Sequence, residues 1–323
     1  METGGTPQEY RPRIVVIGGG TGLSVMLRGL KEKPVDITAI VTVADDGGSS
    51  GRLVNELDMP PPGDIRNVLG ALADVEPLLN EMLQYRFSSG KGLAGHNLGN
   101  LLLAALKDIT GDFVTGIREL SRVLAVRGRV LPAAHRAIVL KAEMTDGTII
   151  SGESKIPKAR GKIKRVFLEP ADVPPLPEAI DAIRQADAIV VGPGSLYTSL
   201  LPNLLVPGIA EAIRETPACK IYICNVMTQP GETDGYSVGD HVHAVAEHVG
   251  HGLFEHIIIN SSSIPRSVRS LYAEQGADVV KLDFERVRQW GYSLICDELV
   301  LFQGVLRHDA VKLSDHIYRL VKS

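Results

Sequence analysis

The sequence predicts an α/β protein of three layers: a Rossmann-like, mainly parallel sheet with helices on both faces and a small antiparallel β insert. Short, strongly apolar runs recur at 14–17, 37–43, 188–191, 220–224 and 256–260, as expected of strands buried on both faces. Stretches with helical apolar spacing separate them, which is the βα alternation of a parallel sheet. Several of the runs also lead straight into loops of glycine, serine or asparagine, at the strand ends where open α/β sheets hold ligands.

Of the 323 residues, 44% are hydrophobic and 22% charged, the balance of an ordinary globular protein. One nucleotide-binding domain over 12–323 is expected, after a flexible polar tail at 1–11 and with the β insert at about 136–168. A net charge of −4 gives no electrostatic reason for general nucleic-acid binding. The basic run Lys155, Lys158, Arg160, Lys162, Lys164 and Arg165 reads as a solvated loop and strand edge, or as a group reaching a ligand phosphate or acidic partner. Three cysteines, Cys219, Cys224 and Cys296, lack metal-ligand spacing and read as reduced, mostly buried thiols. With no hydrophobic signal region at 1–12 and no apolar run near the ~18 residues of a membrane span, a cytoplasmic protein without a membrane segment is expected.

The first strand, 14–17, and the helix at 21–31 are joined by Gly18, Gly19, Gly20, Thr21 and Gly22. Such a turn presents bare backbone N–H groups and a helix N-terminus to an anion, so a phosphate or pyrophosphate is the simplest ligand. Leu23 stands where a dinucleotide fingerprint has its third glycine, and a tight turn serving packing alone is the alternative. The strand at 37–43 leads into Asp45, Asp46, Gly47, Gly48, Ser49, Ser50 and Gly51. The carboxylates there could hold ribose hydroxyls or a Mg²⁺ and the serines phosphate oxygens; alternatively, Asp46 caps a short helix.

After Pro60–Gly63, Asp64 can N-cap a helix to about Asp74, with Arg66 and Asn67 in its first turn. A cation there opposes the helix dipole, which points Arg66 at an anion or at a neighbouring carboxylate. His96, Asn97 and Asn100 cluster at the next helix start as ligand donors or caps, and Gly99 implies a close approach. Residues 112–125 continue helical. The runs 137–144 and 148–153, joined by Thr145-Asp146-Gly147, form a hairpin that 163–168 extends. This insert is a candidate subdomain or flap over the pocket.

A helix at 177–186 and the strand at 188–191 precede a second glycine-serine loop: Gly192, Pro193, Gly194, Ser195, Leu196, Tyr197 and Thr198. Ser195 fits no nucleophile elbow, so Ser195, Tyr197 and Thr198 are assigned to binding. Beyond 220–224, Asn225, Thr228 and Gln229 suit sugar hydroxyls or a base edge. Helices are expected at 240–249 and 265–274, with His241, His243, His248 and His251 on or beside a solvated helix rather than on a metal. A strand at 299–303 then runs through Arg307 into the closing helix. Arg307 and Tyr272 could close the pocket, or serve only the structure.

The motifs Gly-Gly-Gly-Thr-Gly-Leu, Ala-Asp-Asp-Gly-Gly-Ser-Ser-Gly, Pro-Pro-Gly-Asp-Ile-Arg-Asn, Gly-His-Asn-Leu-Gly-Asn, Gly-Pro-Gly-Ser-Leu-Tyr-Thr-Ser and Asn-Val-Met-Thr-Gln occur in this order. Together they resemble the bacterial gluconeogenesis factor family, the YvcK-like branch of the CofD-like proteins, over about residues 12 to 321. The other branch comprises 2-phospho-L-lactate transferases. The resemblance implies a cytoplasmic, uridine-diphosphate-sugar-binding regulatory factor for growth and cell shape on gluconeogenic carbon, with protein partners in cell-wall synthesis. It also implies an alternative, a Mg²⁺-dependent transferase of phosphorus-containing groups acting on a nucleotide-diphospho substrate, with Asp45 and Asp46 at the metal. The transferase branch's deazaflavin acceptor site has no counterpart legible in the sequence. A weaker alternative is NAD(P) in the same phosphate loops. Rossmann-like proteins often dimerise, which makes a homodimer a candidate state.

Overall fold

The computed structural model describes residues 10–322, so most of the expected tail lies outside the described residues. The chain opens with strand β1 (Arg13–Gly18), helix α1 (Gly20–Leu30), β2 (Asp36–Val41) and four helices: α2 (Gly48–Leu57), α3 (Gly63–Leu72), α4 (Pro77–Gln84) and α5 (Leu98–Thr110). Helix α6 (Phe113–Val123) and strand β3 (Arg129–Pro132) lead to the insert: β4 (Val139–Met144), β5 (Ile149–Ser151) and β6 (Ile163–Glu169). Then come α7 (Pro177–Arg184), β7 (Ala188–Val191), α8 (Leu201–Leu204), α9 (Ile209–Glu215), β8 (Cys219–Ile223), α10 (Val238–Val249) and β9 (His256–Asn260). The chain ends with α11 (Arg266–Ala273), α12 (Phe284–Gln289), β10 (Ser293–Asp297), β11 (Val300–Gln303), β12 (Val305–His308) and α13 (Ala310–Lys322).

Seven strands form one sheet in the order β10-β9-β8-β7-β1-β2-β3, every neighbouring pair parallel. Alternate side chains feed two cores because successive strand residues face opposite ways. Val15, Ile17, Ile189 and Val191 pack with residues of α7, α9 and α10, such as Ile183, Ile213 and Val242. Ile14, Val16, Val190 and Ile221 pack with α1, α3, α5 and α13, through Leu27, Leu69, Leu103 and Leu313 among others. This is the three-layer α/β sandwich that the periodicity predicts.

The insert is a three-stranded antiparallel sheet, β5-β4-β6. Leu140, Ala142, Val166 and Leu168 share a core with the main sheet, so it is docked on the domain and is not a free flap. The expected strand at 299–303 is one arm of a ribbon, because Gly304 at φ +76° turns the chain back into β12. His241 is fully buried, with its Nδ1 2.8 Å from the Ser237 carbonyl, and His248 accepts the Val166 N–H at 2.9 Å. Only His243 and His251 are exposed as expected of the histidine group. Of the cysteines Cys224 is buried, Cys219 half-buried and Cys296 exposed. The basic run is solvent-facing as expected, and Lys164 and Arg165 pair with Glu143. Among the described residues no single helix is long and apolar enough to cross a membrane.

Candidate functional site

Strands β2, β1, β7 and β8 are parallel neighbours, so the loops that follow them emerge at one end of the sheet. The loops after β1 and β7 touch backbone to backbone. A side-chain carbon added at Gly22 would lie 3.0 Å from the Pro193 carbonyl, and one at Gly194 would lie 3.2 Å from the Gly19 carbonyl. Gly20 has φ +71°, a region that glycine enters at little cost. The cap of α1 comes from outside the helix, because Asp64 takes the Gly20 N–H, and the next first-turn N–H groups are left for a ligand.

These loops form one wall of a cavity of ≈ 490 Å³, with Gly19, Gly20, Thr21, Gly22, Pro193, Gly194, Ser195 and Ser199 on its lining. The facing wall holds Asn225, Thr228, Gln229, Tyr272, Arg307 and His308. Several of these groups are held in place by one another. Asn225 Nδ2 donates to the Gly194 carbonyl at 2.7 Å and Gln229 Nε2 to Ser195 Oγ at 2.6 Å. Thr228 Oγ1 accepts the Asp278 N–H, and the Tyr272 hydroxyl accepts the Leu306 N–H at 2.8 Å, which ties α11 to the ribbon. Among the described residues, Gln229 Oε1 and His308 Nε2 are buried without a hydrogen-bond partner. Burial pushes the His308 pKa down to about 4, so its ring is neutral at physiological pH. Sequence reasoning passed over His308 although it adjoins Arg307.

The remaining motifs gather beside this cavity, joined to it by Asp64. Its carboxylate takes hydrogen bonds from the Gly20 backbone and the Asn67 side chain, while burial and then the charge of Asp45 push its pKa up to about 6. The expected cap positions shift: Pro62 precedes α3 and Gly47 precedes α2, while Asp45 accepts the Gly47 N–H at 2.8 Å. Ser49 Oγ lies 3.1 Å from His96 Nδ1 and accepts the Asn97 N–H. Asn97 caps α5, and Asn100 donates to Ser50 Oγ at 3.4 Å. Burial and nearby Arg52 lower the His96 pKa. Arg66 is 8% exposed and donates to Asn67 Oδ1 at 2.8 Å. Its stem, together with the Leu83 carbonyl, explains Gly99, since a side-chain carbon there would stand 2.6 Å from the carbonyl and 2.8 Å from the stem.

Three assigned side chains are committed elsewhere. Asp46 accepts the Ser154 N–H at 2.8 Å and so pins the insert. The Tyr197 hydroxyl meets that of Tyr236 at 2.8 Å, and Thr198 donates to Glu232 at 3.0 Å. Two carboxylates that sequence reasoning missed join the acidic group instead. Glu153 is raised well above the usual carboxylate range by burial and by the charges of Asp64, Asp45, Glu232 and Asp46. Burial pushes Glu232 up to about 7. Among the described residues one oxygen of each has no hydrogen-bond partner. The carboxylate alongside Asp45 is therefore Asp64 rather than Asp46.

The gathered carboxylates are hard oxygen donors, two of them, Glu153 and Glu232, with an unpartnered oxygen among the described residues, and they fit Mg²⁺, which is commonly held by one or two carboxylates with waters and phosphate oxygens. Asp45 and Asp64 would hold it. Among the described residues no three of these carboxylates come within 4.8 Å of one another, so the remaining positions would fall to a diphosphate and water. Bound there, the ion would neutralise charge on a leaving diphosphate. The raised carboxyls could carry protons at neutral pH.

Residues 14–300 match the family described as 2-phospho-L-lactate transferase CofD. A gluconeogenesis factor of Halalkalibacterium halodurans is 60% identical, over 95% of this chain and 96% of its own length. The gluconeogenesis factor of Bacillus subtilis is 57% identical, over 97% of this chain and 99% of its own. A crystal structure of a Bacillus halodurans protein superposes with a TM-score of 0.94 at 60% identity, covering 96% of this chain and 100% of that one.

Proposed function

The chain belongs to the CofD family, among its gluconeogenesis factors, and we propose that it acts as a cytoplasmic regulatory protein that binds a uridine-diphosphate sugar. On this reading it supports growth and cell morphogenesis when carbon enters by gluconeogenesis. One observation carries it. The cavity pairs glycine-loop backbone at the α1 N-terminus, where Asp64 takes the Gly20 N–H, with a facing wall of amides, hydroxyls and a single arginine, Arg307. The first wall suits a diphosphate, with Arg307 as its counter-charge, and the amides and hydroxyls of the second suit a sugar and a base edge, in a volume within the usual range for small-molecule sites. These are groups for holding a ligand.

The acidic cluster supports a second reading, a Mg²⁺-dependent transferase of phosphorus-containing groups acting on a nucleotide-diphospho substrate. Asp45 and Asp64 would hold the ion and Glu153 or Glu232 would move a proton. The NAD(P) reading draws on the same loops, but Leu23, fully buried, takes the place of the third fingerprint glycine.

Calorimetric titration with a uridine-diphosphate sugar, in EDTA and in Mg²⁺, separates the two principal readings in wild type and Asp64→Asn. Binding should persist in EDTA, with no nucleotide released on prolonged incubation. Binding that disappears in EDTA, together with nucleotide-diphosphate release in Mg²⁺ that Asp64→Asn abolishes, would replace the regulator with the transferase.

A further inference from the structure

The end of the sheet opposite the cleft carries a second constellation. Cys219 opens β8 and His256 opens β9, and the parallel register sets His256 opposite Ile221. Cys219 lies two residues before Ile221, so its side chain leaves the same face of the sheet. Glu255 immediately precedes His256 and is fixed on both sides: its N–H donates to the Lys220 carbonyl and its carbonyl accepts the Ser293 N–H, each at 2.9 Å. As a result, one donor atom each from Cys219, Glu255 and His256 lies within 4.8 Å of the other two.

We propose that Cys219, Glu255 and His256 form a binding site for a divalent cation of the Zn²⁺ class, which links β8 to β9. A thiolate, an imidazole and a carboxylate are the donor set that Zn²⁺ takes, and three protein donors leave a fourth tetrahedral position to water. A second observation points to a missing ligand. His256 Nδ1 is buried and, among the described residues, has no hydrogen-bond partner, a costly state for a polar atom. Lys220 lies 3.1 Å from one Glu255 oxygen, which leaves the other oxygen for the cation. With five residues in β8, about 16 Å of strand separates this site from the cleft, so it is independent of ligand binding there.

Co²⁺ is the probe, because a thiolate ligand gives it a near-ultraviolet charge-transfer band that carboxylates in the cleft cannot produce. Untagged full-length protein, stripped with a chelator, is titrated with Co²⁺ and then with Zn²⁺. The expected result is one equivalent of Co²⁺ with the charge-transfer band, displaced by Zn²⁺. Cys219→Ser should abolish the band, His256→Ala should weaken binding at least about tenfold, and Cys296→Ser should change neither. Should Cys219→Ser fail to fold by circular dichroism, alkylation of the wild type decides: one equivalent of Zn²⁺ should protect Cys219 and leave Cys296 reactive. Absence of the band in the wild type, its survival in folded Cys219→Ser, or equal alkylation with and without Zn²⁺ would overturn the assignment.

Discussion

Replacing Glu232 by glutamine should make the protein respond differently to pH. Glu232 is 6% exposed, and burial raises its pKa from 4.5 to about 7. Between those values the folded protein keeps a proton that the unfolded chain has released, so stability falls as pH rises through about 4.5 to 7 and stays reduced above it. A shift of roughly 2.5 units corresponds to about 3 kcal/mol. Glutamine keeps an acceptor for Thr198 and has no charge to bury, so this dependence is absent from the variant. Any pH-independent cost of the amide appears equally at every pH and drops out of the comparison. Urea unfolding of both proteins, followed by circular dichroism from pH 5 to pH 8, should therefore show the variant gaining about 2.5 kcal/mol on the wild type, the part of the dependence that falls in that range. A difference that stays flat with pH, or moves against the variant, would show that Glu232 is not a buried acid with a raised pKa.

Three further outcomes follow from the cleft. Gly20→Val places a branched side chain at φ +71°, where the nearest non-neighbouring atom is Ser199 Oγ at 3.7 Å. It should cost about 1–2 kcal/mol in backbone strain while blocking the phosphate approach, so a folded variant with unchanged affinity for a uridine-diphosphate sugar would remove the loop from the site. Asp46→Ala deletes the acceptor for the Ser154 N–H; it should destabilise by about 1 kcal/mol and speed amide exchange over 152–156, and unchanged exchange would contradict the clamp. Arg307→Ala should weaken that ligand about tenfold, or ~1.4 kcal/mol, and flatten the salt dependence of binding. An unaltered salt slope in isothermal titration would take Arg307 off the diphosphate.

In the main sheet, the strands legible in the sequence are those flanked by neighbours on both sides. β1, β2, β7, β8 and β9 lie inside the sheet, and their continuous apolar runs reflect burial on both faces. The two edges escaped notice for the same reason. β3 is a four-residue strand that begins with Arg129 and ends at Pro132, whose missing N–H is tolerated at a strand end. β10 mixes exposed and half-buried residues along Ser293–Asp297 with no residue fully buried, too weak a pattern to separate from a loop. The ribbon reads as a single strand in the sequence because one glycine, Gly304, reverses the chain inside an otherwise apolar stretch.

Legibility of the site followed the same divide between local and distant causes. A glycine loop announces itself because the turn is encoded by the residues that form it, and the loops after β1 and β7 do lie against each other. The neighbouring aspartates diverge although they adjoin in sequence. Asp45 turns in toward Gly47 and Asp64, while Asp46 turns out to Ser154. Glu153 and Glu232 stand in polar turns like any surface glutamate, and only the docking of the insert buries them. Asp46 holds the turn that carries Glu153, Thr198 holds Glu232, and the raised Glu153 pKa records the resulting proximity to Asp45, Asp64 and Glu232. The acidic group thus depends on four separated segments meeting, so loosening the insert through Asp46 should lower the Glu153 pKa without touching its own chemistry. Carboxyl titration by NMR in Asp46→Ala can follow this, and a Glu153 that titrates as in the wild type would show that the insert stays docked without its clamp.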